Sequence, residues 1–438
     1  MMGAGRGVLA GIASALISTG IVAQQKPGAV QPAQVQVSLA EAVRRALDVQ
    51  PTVIQARGAV RTASANERAA WGAYLPTIKT SGSASRSNAA GVDLSTGRAI
   101  LIPGEYRYSV GLSATLDLFT GFKRGATRRA ASARTDAADA GFVNQRYQVS
   151  AATAQLFYTS LANEDLVRVA ESQLERTKEQ LQIAVNKFQA GAATRSDTLT
   201  ATVDLGNARL ALLQAQANLA TSQADLARQI GADQPVRAVA DSAFPSPPDT
   251  AALRADVIDR SPQVQQAEAE AKAAGADVTA ARSLYWPTLQ LTYNDTRQGP
   301  ASRSFPQYDE TFRWTFGLSW TLFDGFFREA NQASASVQRD VARASSADTR
   351  RQVGATLTQE LAALFTAYAQ IGITGTNVAA ATEARRVTQE RYRLGAGTLL
   401  DLLTAEANLT QAEVNQVQAR YNYLIARAQV EALVGHVL

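Results

Sequence analysis

Two short patterns in this chain carry its most suggestive chemistry: Thr194-Arg195-Ser196-Asp197 and Thr398-Leu399-Leu400-Asp401. A threonine three residues ahead of a carboxylate lets each side chain bond the other's backbone N–H, which is how helices are started. Little else in the sequence could react. Cysteine is absent, the single histidine is His436 and the two methionines are Met1 and Met2. Neither a GxSxG nucleophile elbow nor a GxxxxGK phosphate loop occurs. Thiol chemistry, disulfides and soft-metal routes therefore have no donors, and catalysis has little to stand on. No enzyme, cofactor or metal site is expected. Net charge is only +5 and no Lys/Arg run is interleaved with aromatics, so nucleic acid is not an expected partner either.

The elements that must hold these carboxylates are written twice. FQAGAATRSDTLTATVDL, from Phe188, and YRLGAGTLLDLLTAEANL, from Tyr392, agree at 8 of 18 positions and lie 204 residues apart. The agreement keeps Gly191 with Gly395, Thr194 with Thr398 and Asp197 with Asp401. Each glycine suits the left-handed stop of one helix, and each T-x-x-D starts the next, so both copies read as helical-hairpin turns. The same offset pairs Phe119 with Phe323, Gly121 with Gly325, Arg124 with Arg328 and Gly231 with Gly435. Further upstream GAYLPTI matches SLYWPTL, and ALDVQPTVIQ matches VIDRSPQVQQ. The chain is a tandem duplication joined by the Pro-rich DSAFPSPPDTA, Asp241 to Ala251.

Alanine dominates the apolar residues, which favours long helices packed closely over one thick core. No proline falls between Pro103 and Pro235, nor after Pro306. Val167, Leu174, Leu181 and Phe188 recur every seven residues, as do Leu357, Leu364, Ile371 and Val378. Helices of about 68 residues would be roughly 100 Å long. Between helices the period changes to two. In FRWTFGLSWTLF, Phe312, Trp314, Phe316, Leu318, Trp320 and Leu322 alternate with Arg313, Thr315, Gly317, Ser319 and Thr321. YRYSVGLSATLDL repeats the scheme through Tyr106, Tyr108, Val110, Leu112, Ala114 and Leu116. An aromatic face opposite an Arg/Thr/Ser/Gly face is the pattern of a membrane barrel with a wet lumen. It assigns Tyr108, Phe312, Trp314 and Trp320 to a lipid belt and Arg107 and Arg313 to equivalent lumen positions. GVDLSTGRAILIPG and NDTRQGPASRSFPQ are expected as polar loops at one end.

The first residues, with Arg6, an apolar run from Val8 to Val22 and small residues before Ala23, predict a secretory signal peptide over 1–23. No later run could form a spanning helix, and no cysteine could carry a lipid anchor. Four strands cannot close alone, and an open sheet edge is excluded from lipid. The strands must join a barrel shared between copies: two copies would give eight, three would give twelve.

Taken together, the duplication, the LPTI and WPTL strand entries, the GLSATLDLFTGF and GLSWTLFDGF exits and the paired tips resemble the TolC-type outer-membrane channel-tunnel (efflux protein) family over nearly the whole mature chain. That resemblance implies a mainly α fold with a membrane β part: a homotrimer with a shared 12-stranded transmembrane barrel continuous with a twelve-helix periplasmic tunnel. Such a duct serves a tripartite efflux pump or type I secretion, passing drugs, small molecules or polypeptides. Its partners would be outer-membrane lipid, a periplasmic adaptor (membrane fusion) protein and an inner-membrane transporter of RND, ABC or MFS type. It also implies that Asp197 and Asp401 narrow the periplasmic mouth, with Gln180 and Tyr392 as gate partners and Arg195 and Arg393 as local cations. The chain departs from some members in having Gly397 and Thr404 where they carry a tip arginine and a second aspartate. A periplasmic coiled-coil adaptor or a structural protein without a pore is the competing reading.

The expected map follows a polar segment at 24–37. A first repeat at 38–232 holds helices near 38–75, strands near 76–87 and 106–118, and long helices near 120–190 and 194–232. The joint covers 233–251. A second repeat at 252–438 holds helices near 252–285, strands near 288–298 and 311–323, and long helices near 325–394 and 398–435.

Overall fold

A computed structural model of the protein describes residues 35–436, apart from Leu94, 241–244, 246–257 and Arg303. The expected signal peptide, the polar segment as far as residue 34 and much of the joint lie outside these residues.

Helix α1 (Leu39–Val49) begins where the Ser38 hydroxyl accepts the Glu41 N–H. It ends because Gln50 precedes Pro51 and is extended, at φ −65° and ψ 125°. Pro51 then serves as the first residue of α2 (Pro51–Gly72). The helices expected near 38–75 are these two. Helices α3 (Lys123–Gln189) and α4 (Arg195–Ile230) have 67 and 36 residues, and so do α6 (Phe327–Arg393) and α7 (Leu399–Val434). Between the pairs lies α5 (Pro262–Arg282). Small residues dominate the buried side of α3: Ala126, Ala130, Ala137, Ala154, Ala170 and Ala184. Small side chains let neighbouring axes approach closely. The seven-residue series ending at Phe188 supplies only half of the α3 seam. Ala170, Thr177 and Ala184, three residues further on, are its fully buried line, while Phe188 is exposed.

The thickest core lies where α1, α3, α4 and α7 meet the start of α2. There Phe157, Leu226, Val53 and Ile230 pack with Val37 of β1 (Val35–Val37) and Val236 of β6 (Val236–Ala238), strands that pair in parallel. A second cluster joins Leu357, Leu361 and Leu364 of α6 to Tyr423 and Val430 of α7.

Strands β2 (Thr77–Arg86), β5 (Tyr106–Thr120), β7 (Thr288–Pro300) and β8 (Asp309–Ser319) form an antiparallel sheet in the order β2-β5-β7-β8. The register puts Ile78, Ala114, Tyr293 and Trp314 in one row, so the apolar sides of all four strands share a face. Tyr293 and Trp314 stack at 4.6 Å there. Lys79, Ser113, Asn294 and Arg313 line the other face.

Three expectations about the sheet need correction. GVDLSTGRAILIPG is not simply a loop: Ala89–Val92 (β3) and Ala99–Ile102 (β4) pair as a hairpin. Its turn is held by Asp93, whose carboxylate accepts the Ser95 N–H (2.9 Å), the Ser95 hydroxyl (2.6 Å) and the Thr96 hydroxyl (2.8 Å). The loop expected from Asn294 is strand as far as Pro300, because β5 continues to pair with it through Arg107. The strand expected to reach residue 323 stops at Ser319, which faces Thr288. Pro287 comes next and has no N–H to extend the ladder.

Candidate functional site

At the tips of the long hairpins the sequence dictates the backbone twice over. Gly191 and Gly395 take φ values of 74° and 77°, a conformation that disfavours any Cβ. Past each helix end the chain doubles back. The Ala192 N–H reaches Lys187 O and the Gly191 N–H reaches Phe188 O; Ala396 and Gly395 repeat this with Arg391 and Tyr392. This six-to-one and five-to-two pairing is a Schellman stop. Three residues later, Thr194 and Asp197 exchange bonds at 3.0 and 3.3 Å, and Thr398 and Asp401 do so at 3.1 and 3.2 Å. Both capping boxes are complete. The Thr398 hydroxyl and N–H hold the Asp401 carboxyl below the usual carboxylate range, with Arg391 adding a smaller pull.

The structure brings Tyr392 and Gln180 into the interior beside this turn. Tyr392 packs with Leu399, Leu402 and Ile183, while Lys187 lies 4.2 Å from its ring centre and donates to its backbone carbonyl. Burial, and then the charge of Asp197, push the Tyr392 phenol up. Its hydroxyl and the Gln180 amide nitrogen are buried without a partner in the single chain. Such groups cost free energy until they are paired. Arg393 turns to Glu390 and Arg195 is exposed at the first turn of α4. The cation whose charge acts on Asp401 is Arg391, two residues before the arginine expected from the sequence.

A charge cluster a few turns above the second tip was not expected. Arg176 on α3 bonds Glu406 and spans Glu413 with two donors, at 3.2 and 3.0 Å. It also reaches the Thr410 hydroxyl. Arg385 on α6 donates to the other Glu406 oxygen at 2.7 Å and lies 4.0 Å from Glu179, which Gln389 also meets. Burial works against the Arg176 charge, but Glu406 and Glu413 outweigh it and raise its pKa. The cluster ties α3 of the first hairpin to both helices of the second. Its only sequence signal is Glu406, Thr410 and Glu413 at i, i+4 and i+7 on one helix face.

On the sheet, Arg107 of β5 and Arg313 of β8 share the polar face; Arg107 faces Ser85 and Pro300, and Arg313 faces Asn294. Tyr108, Phe312 and Trp314 lie on the apolar face. Trp320 lies beyond β8, where its indole N–H donates to Tyr285 O at 3.3 Å.

No described helix is long and apolar enough to cross a membrane. Two helices of 67 residues and a four-stranded sheet share this one chain. The model of the outer membrane efflux protein family matches residues 42–232 and 253–436. The chain belongs to that family, one of channel proteins. It is 27% identical over 370 residues to the probable efflux pump outer membrane protein TtgC of Pseudomonas putida, covering 82% of this chain and 75% of TtgC. It is also 27% identical to protein CyaE of Bordetella pertussis, covering 86% and 79%. The fold matches the CmeC outer membrane channel of Campylobacter jejuni with a TM-score of 0.80 at 19% identity, over 91% of this chain and 85% of CmeC. The mainly helical architecture with its β part is that of an outer-membrane efflux channel.

Proposed function

We propose that three copies of this chain close a 12-stranded barrel in the outer membrane and a twelve-helix tunnel in the periplasm. This homotrimer is the passive exit duct of a tripartite efflux pump or type I secretion system, taking drugs, small molecules or polypeptides from its partners. The observation that carries the reading is the four-stranded sheet, whose β2 and β8 edges have no neighbour among the described residues and whose aromatic face is bare, running into helices about 100 Å long. In hydrocarbon each unpaired edge group costs several kcal/mol, so copies must meet edge to edge. β2 and β8 run in opposite directions, which suits antiparallel closure from copy to copy.

The long helices support the same assembly. Leu199, Val203, Leu210 and Leu213 make an exposed apolar stripe on α4, and Ile373 and Val387 are exposed on α6. These two helices flank the α3–α7 contact, so their bare faces are where adjacent copies would meet. In that ring Asp197 and Asp401 would place six carboxylates around the mouth. The tips would receive a periplasmic adaptor that links the duct to an inner-membrane transporter. The name of TtgC, a probable efflux pump outer membrane protein, supports service in a pump.

The test is detergent-extracted protein on unboiled gels and in planar bilayers. A heat-labile trimer with stepwise ion conductance is expected. A stable monomer in plain buffer, without conductance, would end the proposal.

A further inference from the structure

The two strand-to-helix elbows have the same backbone but different surroundings. Gly121 and Phe122, at φ 60° and 67°, precede α3; Gly325 and Phe326, at 70° and 67°, precede α6. A phenylalanine at positive φ is uncommon and costly. In both elbows that ring packs edge-on against a phenylalanine three residues earlier, Phe119 at 5.3 Å and Phe323 at 5.6 Å. In both, an arginine of the first helical turn reaches back to the strand: Arg124 to Leu118 O and Arg328 to Leu322 O, each at 2.8 Å.

Only the first elbow has a neighbour, although Phe122 itself stays exposed. Phe122 meets Trp286 edge-on at 5.6 Å, and a Cβ on Gly121 would lie 2.5 Å from Ser283 O. Around Gly325 there is open space, and Leu322, Phe323 and Phe326 are exposed. On the far side of the sheet Trp71, Tyr74, Leu75 and Ile78 are exposed too. Tyr74, Leu75 and Ile78 correspond to Tyr285, Trp286 and Leu289, since GAYLPTI and SLYWPTL correspond.

The strands differ in the same way. β5 runs on to Thr120 through a register shift between Asp117 and Phe119, pairing Phe119 with Leu289 and Thr120 with Thr288. β8 stops at Ser319, and the equivalent stretch, Trp320 to Asp324, has no strand beside it.

We infer that the contact between β5 and β7 inside the chain is the template for the seam between copies, and that residues 320–324 become strand only there. The inference rests on the conduit reading. Transferring the register places Trp320 opposite Thr80 of a second copy, Thr321 opposite Lys79, Phe323 opposite Ile78 and Asp324 opposite Thr77. Leu322 takes the bulge, with its carbonyl already held by Arg328 as Leu118 O is held by Arg124. Phe326 then seats against Leu75 of the second copy, where Phe122 seats against Trp286. The second copy's chain at Gly72 approaches Gly325, which explains a glycine facing empty space. The occupant is another copy, because the covered and bare surfaces are the two halves of one repeated contact.

The chain has no cysteine, so introduced pairs report alone. The full-length double variant Phe323→Cys with Ile78→Cys, oxidised in the membrane, should give covalently linked chains on boiled non-reducing gels. Facing positions bring Cβ atoms within the roughly 4.5 Å a disulfide needs. Phe323→Cys with Thr80→Cys sits on a diagonal of about 7 Å and should link at least about tenfold less. Hydrogen exchange on the unsubstituted trimer reads the same seam: amides in 320–324 should be protected to the level of 116–120. An intact trimer whose 320–324 amides exchange freely, or which links 323 to 80 in preference to 78, overturns the seam while leaving the conduit reading in place. If the cysteine variants fail to assemble, the exchange measurement decides alone. Unsubstituted protein that forms neither trimer nor conducting channel defeats both.

Discussion

Thr398 and Asp401 each satisfy a backbone N–H that the start of α7 would otherwise leave bare. Thr398→Ala should cost about 1 kcal/mol of stability, the usual worth of an N-cap, measured as a lowered denaturant midpoint. Asp401 titrates below its ordinary value of 3.8 in the fold. Its contribution is therefore complete above that pH and is lost as pH falls below it. Glu406 is a different kind of residue, because it accepts from Arg176 and Arg385 together in a nearly dry setting. Glu406→Leu leaves two guanidinium groups short of a counter-charge and should destabilise by about 3 kcal/mol. Glu413→Gln should cost less, since Arg176 keeps Glu406; paired melting curves followed by circular dichroism compare them. The capping aspartates were legible in the sequence because their partners lie three residues away. The Arg176–Glu406 contact spans 230 residues, and no local period announces a partner at that distance.

Among the elements, the long helices were the easiest to read, since absent prolines and repeated apolar positions act over many turns. The tips followed from glycine and T-x-x-D, whose geometry is local. The β3–β4 hairpin escaped because its four-residue strands, AAGV and AILI, show no polar alternation, and its turn is held by one carboxylate. Hydrogen bonds from the Ser95 side chain, the Ser95 N–H and Thr96 hold the Asp93 pKa at about 2, against an ordinary 3.8. A depressed carboxylate stabilises fully above the unfolded value and is lost as pH falls through the folded one. The hairpin should therefore stay closed at pH 4 and loosen near pH 2. Limited proteolysis with an acid-active protease should cut at 93–98 only at the lower pH, and Asp93→Ala should be cut at both. The end of β8 was misread for another reason. Alternation reports which face a residue would take in a ladder, and a ladder needs a neighbour that the single chain does not hold.

For the whole molecule, the proposed ring gathers Asp197 and Asp401 from three chains at one mouth, where like charges attract cations and bond to neighbouring donors. Asp401→Ala should raise single-channel conductance in planar bilayers and reduce cation preference. Unchanged values of both would remove this residue from the constriction. The loss of a cap is separable, since Thr398→Ala weakens the helix start while keeping the charge. The buried, partnerless Tyr392 hydroxyl and Gln180 amide belong to this scale as well. The proposed assembly would bring further polar groups within their reach.

The charge cluster around Arg176 has a history written in the duplication. At the matching places, 204 residues away, stand Ala380 for Arg176, Thr202 for Glu406 and Arg209 for Glu413. In the proposed trimer the joint inside each chain is pinned by the Arg176–Glu406 pair, whereas the matching joint between chains, with Ala380 against Thr202 and Arg209, would have no such pair. The two sets of joints in that ring need not give way together.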